Sequence, residues 1–406
     1  MAEVTNYIDR LVAELCPDGV EYRPLGDVVE KNYGGGTPSK AKEEYWGGDI
    51  PWASVGDLSN DLMEIFDTRS KITSAGVSGS STNVVPAGAV IVAIKIAPGK
   101  VKIAGVDLAI NQDIRGLVLN DLMNARFLTY YFRTLRFAGH GTIVKSITNK
   151  RLMDTEVPVP PMEIQEAIVE ILDKFTNLEA ELEAELEART LQYEYYRDSL
   201  FEALDCPRVS LGSLGTFVRG NGLQKKDLQE SGNPVIHYGQ VFTRYGLHED
   251  KTLSYANDEV YNKLRKAEKG NLVIATTSEN DEDVCKALAW LGETPAGISG
   301  DAYIYRHEMN PKYVSYFFTT HDFQRQKLRH ITGTKVRRVS GKNLETIEIP
   351  LPPLEEQQRI VDILDRFDSL TTSLSEGLPA ELAARRSQYE YYRDQLLTFP
   401  RKGENQ

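Results

Sequence analysis

The sequence predicts a mixed α/β chain in which two tandem globular regions of short strands and few helices are separated by two long helices that pair with one another. Three observations carry that prediction. The heptapeptide QYEYYRD occurs twice, at 192–198 and 388–394, 196 positions apart. It closes a longer repeat in which VPVPPMEIQEAIVEILDKF, 157–175, lines up with IPLPPLEEQQRIVDILDRF, 349–367, at an offset of 192. Each repeated segment then carries one apolar stripe at helical spacing. The two offsets differ by four residues, about one helical turn.

Weaker echoes extend the repeat over most of the chain. GTIVKSITNKRL at 141–152 matches GTKVRRVSGKNL at 333–344, and NARFLTYYFRT at 124–134 matches NPKYVSYFFTT at 310–320. CPDGVEYRPLGDV at 16–28 faces CPRVSLGSLGTF at 206–217. The chain therefore divides into an N-terminal helical arm (1–19), a first globular region (20–156), a first long helix (157–207), a second globular region (208–348), and a second long helix with its tail (349–406).

In the first region a glycine loop and two tryptophans, KNYGGGTPSKAKEEYWGGDIPW, precede a strand-like run at 89–96, the segment NQDIRGLVL at 111–119 and a helix near NARFLTYYFRT. The first long helix starts at Pro160-Pro161, since proline is accepted in a helix only in its first turn. Its stripe runs through Ile168, Ile171, Phe175, Leu178, Leu182, Leu186, Tyr193, Tyr196 and Leu200. The tetrads LEAELEAELEAR, 178–189, read as a solvated helix of strong formers and as a spacer adjustable in steps of about 6 Å. The second region alternates strand-like runs with turns, and the second helix starts at Pro352-Pro353. Its stripe runs through Ile360, Ile363, Phe367, Leu370, Leu374, Leu382, Tyr389, Tyr392 and Leu396, with an interruption expected at Gly377 and Pro379. An acidic helix of this length is marginal alone, so the two pair; the spacing leaves parallel and antiparallel pairing open.

The net charge of −12 is unevenly spread. The first helix segment, 157–207, carries −10, whereas the globular regions carry +1 and +3, with local basic clusters such as KLRHITGTKVRR, 327–338. Phosphate contacts depend on the local patch, so nucleic acid stays among the partners. No run of 18 apolar residues occurs and MAEVTNYIDR lacks a signal-peptide pattern, so a soluble, cytoplasmic protein is expected. Three cysteines make no disulfide framework, and Cys16 and Cys206, at equivalent Cys-Pro positions, are read as plain thiols. Six scattered histidines give no metal spacing. No P-loop, cofactor glycine fingerprint or amino-methyltransferase motif is present, so no enzyme is expected.

GGGTPSK followed by YWGGDIPW, the NQDIRG segment, the PPLEEQQRIVDILD helix start and the tandem duplication together resemble the specificity subunit of type I restriction-modification systems. That resemblance implies two target-recognition domains, each reading half of a bipartite double-stranded DNA site. It implies helices paired as an antiparallel coiled coil about a pseudo-twofold axis, setting the spacing and docking two methyltransferase subunits. S-adenosylmethionine would then belong to those partners, and ATP and magnesium to a motor-nuclease pair whose participation the residues leave open. Two copies of QYEYYRD suit two copies of one partner, through Tyr193, Tyr195, Tyr196 and Arg197 and through Tyr389, Tyr391, Tyr392 and Arg393.

Phosphate positioning calls for Lys, Arg, Ser and Thr, and base discrimination for Arg, Asn or Gln at a groove edge. The candidates in the first region are Thr37, Ser39, Lys40, Lys42, Gln112, Arg115, Thr142 and Lys145. In the second they are Gln224, Lys225, Lys226, His237, Tyr238, Gln240, Thr277, Thr334, Lys335, Arg337 and Arg338. Lys145 aligns with Arg337 and Thr142 with Thr334. The plainer reading of each is a solvated surface side chain, and Trp46, Trp52 and Trp290 are read as core. Asp113 and Asp301, aligned across the repeat, are read as structural. The competing functions are a standalone DNA-binding regulator and a coiled-coil adaptor.

Overall fold

Short, apolar, β-branched runs bounded by glycine and proline build the same pair of sheets twice. The computed structural model describes residues 2–60, 62–137, 146–371 and 377–403. In the first region a five-stranded sheet is ordered Val29–Gly34, Ile114–Leu119, Val90–Ala93, Val101–Ala104, Glu64–Ile65, antiparallel except for the last pair. The second region repeats that order with Gly215–Arg219, Ala302–His307, Leu272–Ala275, Lys286–Trp290 and His248–Glu249, again ending in a parallel pair. Each has a four-stranded sheet whose middle pair is parallel: Trp46–Ala53 with Leu108–Ile110, and Asn233–Ile236 with Ala296–Ile298. The runs VIVA, 90–93, and LVIA, 272–275, are buried at every residue, as central strands covered on both faces must be.

A two-stranded ribbon closes each region where the chain enters and leaves it. Tyr22–Pro24 pairs with Glu156–Pro158, and Arg208–Ser210 with Glu348–Pro350.

The chain compacts into two units, one of residues 1–181 with 383–406 and the other of 182–382. Neither coincides with a stretch of the linear repeat. The first long helix, Met162–Glu202, and the second, described as Leu354–Thr371 and Gly377–Leu396, are each divided between the units. Each unit thus joins its own helix start to the QYEYYRD of the other repeat, and the two segments run antiparallel in the first unit. There Phe175 stacks on Tyr392, ring centroids 5.9 Å apart, and four residues further along Glu179 meets Arg386 at 2.6 Å. In the second unit Phe367, the equivalent of Phe175, stacks on Tyr196 at 5.7 Å. The interruption expected at Gly377 and Pro379 falls next to residues 372–376, which lie outside the described residues together with Leu374; Pro379 itself sits in the first turn of Gly377–Leu396.

The seam departs from the expected stripe. Leu178 is 49% exposed and Tyr196 43%, while Leu172 and Arg197 are buried and Glu179 is half-buried. The inward positions run 168, 172, 175, 179, 182, 186, 190, 193, 197, so the helix turns Glu179, not Leu178, toward Arg386. An ion pair at this position draws a carboxylate inward where hydropathy alone would place a leucine.

One glutamine per unit fastens the helix to its globular region. Fully buried Gln165 donates to the carbonyls of Leu122 and Pro160, both 2.8 Å, and accepts from the Asn124 amide at 2.8 Å. Gln357 does the same, donating to Pro352 and accepting from Asn310, each 2.9 Å. Two turns later Asp173 accepts from Tyr130 and pairs with Arg126, and Asp365 accepts from Tyr316 and pairs with Lys312. Asn124 and Asn310 also cap the helices Ala125–Thr134 and Pro311–Phe317.

Gln357→Ala leaves a buried amide and a buried carbonyl without partners. It is expected to lower the unfolding midpoint by about 5 °C, on the order of 2 kcal/mol in a unit of this size, in differential scanning calorimetry. An unchanged midpoint would show that the clamp carries no weight.

Candidate nucleic-acid interface

Three segments converge at one end of the sheets in the first unit. A Cβ on Gly35 would overlap the Asn111 carbonyl, and the Gly36 amide donates to Ile110 at 3.0 Å. The triple glycine therefore serves close packing against the turn at 111–113, and its Gly36 amide is already committed. The adjoining tryptophans hold the loop in place. Trp52 donates to the Gly36 carbonyl at 3.1 Å, Trp46 to Ser39 at 3.2 Å, and the two indoles meet edge to face. Trp52 and Trp290 are buried and Trp46 half-buried.

The same packing brings Thr37 against the Gln112 carboxamide, and Gln112 donates to Asp113 at 3.1 Å. Asp113 also holds Lys95 at 3.3 Å, and Ser146 bridges to Lys95 on the neighbouring segment. Arg115 lies against Gly34. Thr37 and Gln112 are thus linked through Asp113 to Lys95, which sequence reasoning missed because it lies inside a run read as strand. Ser39, Lys40 and Lys42 are exposed further along the glycine loop, with Lys42 donating to the Tyr45 hydroxyl at 2.8 Å. Thr142 and Lys145 lie outside the described residues.

The second unit repeats this frame with different side chains. A Cβ on Gly220 would overlap the Ser299 carbonyl, and the Asn221 amide donates to Ile298 at 3.1 Å. Asp301 stands where Asp113 does: the Thr276 amide donates to its carbonyl as Ile94 donates to Asp113. It accepts from Thr277 at 3.4 Å and lies 3.8 Å from Arg219. Thr277 and Ser278 pair with Arg338 and Arg337, and Arg337 reaches Asp281 at 2.8 Å. Thr334, Lys335 and Arg338 are exposed around this ribbon, and Gln224, Lys225 and Lys226 are exposed on a short turn, Lys225–Asp227, that Gln224 caps.

His237 caps the helix Tyr238–Thr243, its Nδ1 accepting from the Gly239 amide at 3.2 Å, with the Tyr238 ring 4.7 Å away. Burial pushes the imidazole below its ordinary value, Asp301 opposing and Lys225 adding to the shift. Gln240 is turned inward, donating to Ser254 at 2.7 Å and accepting from the His237 amide. Both ends of its carboxamide are bonded within the unit, as are those of Gln112. Arg219 was also missed, although its place before Gly220 matches the glycine loop of the first region.

The two heptapeptides expose different subsets of their residues. Tyr193 and Arg197 are buried, the guanidinium lying over the Tyr193 ring and pairing with Asp198 at 2.9 Å. Arg393 lies likewise over Tyr389, which is half-buried with Tyr392. Tyr195 at 70% and Tyr391 at 59% stand out from both copies. Cys16 and Cys206 are half-buried free thiols, raised above the usual thiol range mainly by burial. Among the described residues no cluster of three or more His, Cys, Asp and Glu could hold a metal, and no helix is long and apolar enough to cross a membrane.

Comparison with known proteins matches this architecture. The family model for the type I restriction modification DNA specificity domain matches twice, over residues 17–188 and 206–384. The chain is 33% identical over 290 residues to a type I restriction enzyme specificity subunit of Escherichia coli, covering 68% of this chain and 71% of that one. A second such subunit from Escherichia coli is 26% identical over 406 residues, 91% of this chain and 92% of its own. A solved structure from a type I R-M system superposes with a TM-score of 0.63 at 16% identity, covering 93% of this chain and 97% of that one, a likeness of fold.

His237 yields a pH test. Because its folded value is depressed, the unfolded chain takes the proton first as pH falls below about 6.5, and stability is lost in that direction. Thermal midpoints should fall between pH 7.5 and 5.5 in the parent. His237→Asn, which retains a capping acceptor, should lose that part of the fall, and His237→Ala should cost about 1 kcal/mol at pH 7.5.

Proposed function

Because the chain belongs to the type I restriction-modification DNA specificity family, we propose that it is the non-catalytic subunit that chooses the DNA sequence on which its partners act. The observation that carries this reading is one frame built twice with different chemistry. Both units tuck a glycine under the same turn and hold an aspartate at the same place. On that aspartate the first unit sets Lys95 and Gln112, and the second sets Arg219 and Thr277, the latter paired with Arg338. Two similar surfaces with different donors suit two different half-sites.

In this reading Gln112 and Arg115 read base edges in one half-site, with Thr37 positioning Gln112. Ser39, Lys40 and Lys42 contact the flanking phosphates, joined by Thr142 and Lys145. In the other half-site Thr277, Arg337, Arg338, His237 and Tyr238 line the groove, and Gln224, Lys225, Lys226, Thr334 and Lys335 follow the backbone. Tyr195 and Tyr391, the exposed aromatic of each heptapeptide, anchor two methyltransferase subunits, since exposed tyrosines are favoured interface anchors. Those subunits supply S-adenosylmethionine and the adenine-methylating site, and motor-nuclease subunits would bring ATP and magnesium. The LEAE tetrads set the unspecified gap, one turn corresponding to roughly one to two base pairs. The regulator and adaptor readings are not favoured: neither accounts for a specificity frame built twice.

Long-read detection of methyladenine in the host genome, with and without this gene, tests the function. Loss of one split motif, two short half-sites about a fixed gap, is expected on deletion; an unchanged methylome would refute the assignment. Complementation with Gln112→Ala should relax one position in one half of that motif and leave the other half intact, a loss of about 1–3 kcal/mol of discrimination at a single base pair.

A further inference from the structure

The turn that follows strand Val90–Ala93 contains an unusual residue. Ile96 has φ +67°, and the Ala97 amide donates to the Lys95 carbonyl at 2.7 Å across it. This is a three-residue turn in its strained sense, in a region that β-branched side chains avoid. Among the described residues the other non-glycine with positive φ is Cys285, which is buried. Ile96 is 61% exposed, so no core contact explains its side chain.

The surroundings over-determine the turn. The Ile94 amide donates to Asp113 and the Ile147 amide to Ile94, both 2.8 Å, while the Gly99 amide donates to Ala93 at 2.9 Å. Strain retained in this way is concentrated at functional positions. Glycine would adopt the same backbone without strain, at the loss of one exposed apolar group next to Lys95, which Asp113 ties to Gln112. The corresponding position of the second unit is Ser278, half-buried, paired with Arg337 and without positive φ. The apolar group thus belongs to one half-site reader and not to the other.

We propose that Ile96 is a specificity-determining residue of the first unit, making an apolar contact with the C5-methyl group of a thymine in the major groove. Thymine alone presents such a methyl there, and an aliphatic side chain held out among polar donors is complementary to it. This rests on the DNA-specificity reading above.

The test uses the full chain assembled with its methyltransferase partners and a duplex carrying the split motif found in the methylome. Each thymine in the half-site relaxed by Gln112→Ala is replaced in turn by deoxyuridine, which removes only the methyl. At one position the parent complex should bind about fourfold more weakly, the worth of one buried methyl. Ile96→Gly should bind the thymine duplex about fivefold more weakly, be indifferent to deoxyuridine at that position, and melt at a higher temperature than the parent. If Ile96→Gly keeps the parent's affinity and its response to deoxyuridine, or if no thymine methyl in that half-site matters, the proposal fails while the specificity reading stands. If the parent complex does not prefer the motif duplex over a scrambled one, the specificity reading fails and this proposal with it.

Discussion

An acidic helix with a single apolar stripe cannot stand alone in water, and everything else in this molecule depends on how that stripe is covered. In the first unit the cover comes from the far end of the sequence: Phe175 lies on Tyr392 and Tyr389, and Glu179 on Arg386. In the second, Phe367 lies on Tyr196. The repeated heptapeptide therefore has an internal purpose before any external one. Its outer tyrosine, 195 or 391, is left over once the inner ones have been used for packing. Duplication and cross-pairing are one constraint, because each helix start needs the heptapeptide of the other repeat.

The clamp at the helix start converts that packing into a positioned reading surface. Gln165 and Gln357 tie the proline turn, the helix and the asparagine cap of the adjacent helix into one hydrogen-bonded joint. A carboxylate two turns on, Asp173 or Asp365, ties a tyrosine and a cation of that same adjacent helix. Buried amides satisfied at every atom hold direction as well as distance, so the sheets leave the joint at a fixed angle within each unit. The variable side chains at the sheet ends can then differ without disturbing the frame.

The repeat, the helix starts at the double prolines and the mixed α/β character were legible because each is written in residue types with fixed conformational consequences. The seam was legible only in part. Hydropathy favours Leu178 and Tyr196, whereas the structure turns in Glu179, which has a partner on another segment, and Arg197, which covers the ring of its own neighbour Tyr193. Gln240 is a candidate by residue type alone; its bond to Ser254 comes from tertiary packing that no local pattern reports. Lys95 and Arg219 were passed over because their significance comes from the aspartates across the sheet, Asp113 and Asp301. The strain at Ile96 leaves no mark in the sequence at all, since a backbone angle is a property of closure and not of composition.

The entry and exit strands of each globular region lie side by side, Arg23 opposite Val157 and Val209 opposite Ile349. A segment that begins and ends at the same place behaves as a cassette. Recombination with breakpoints in these short ribbons would exchange one entire reading surface for another while leaving Gln165, Gln357 and the helix seam in place, provided the incoming segment presents the same amide to the glutamine. New specificities could then arise by single genetic exchanges, with no intermediate that must be both misfolded and selected.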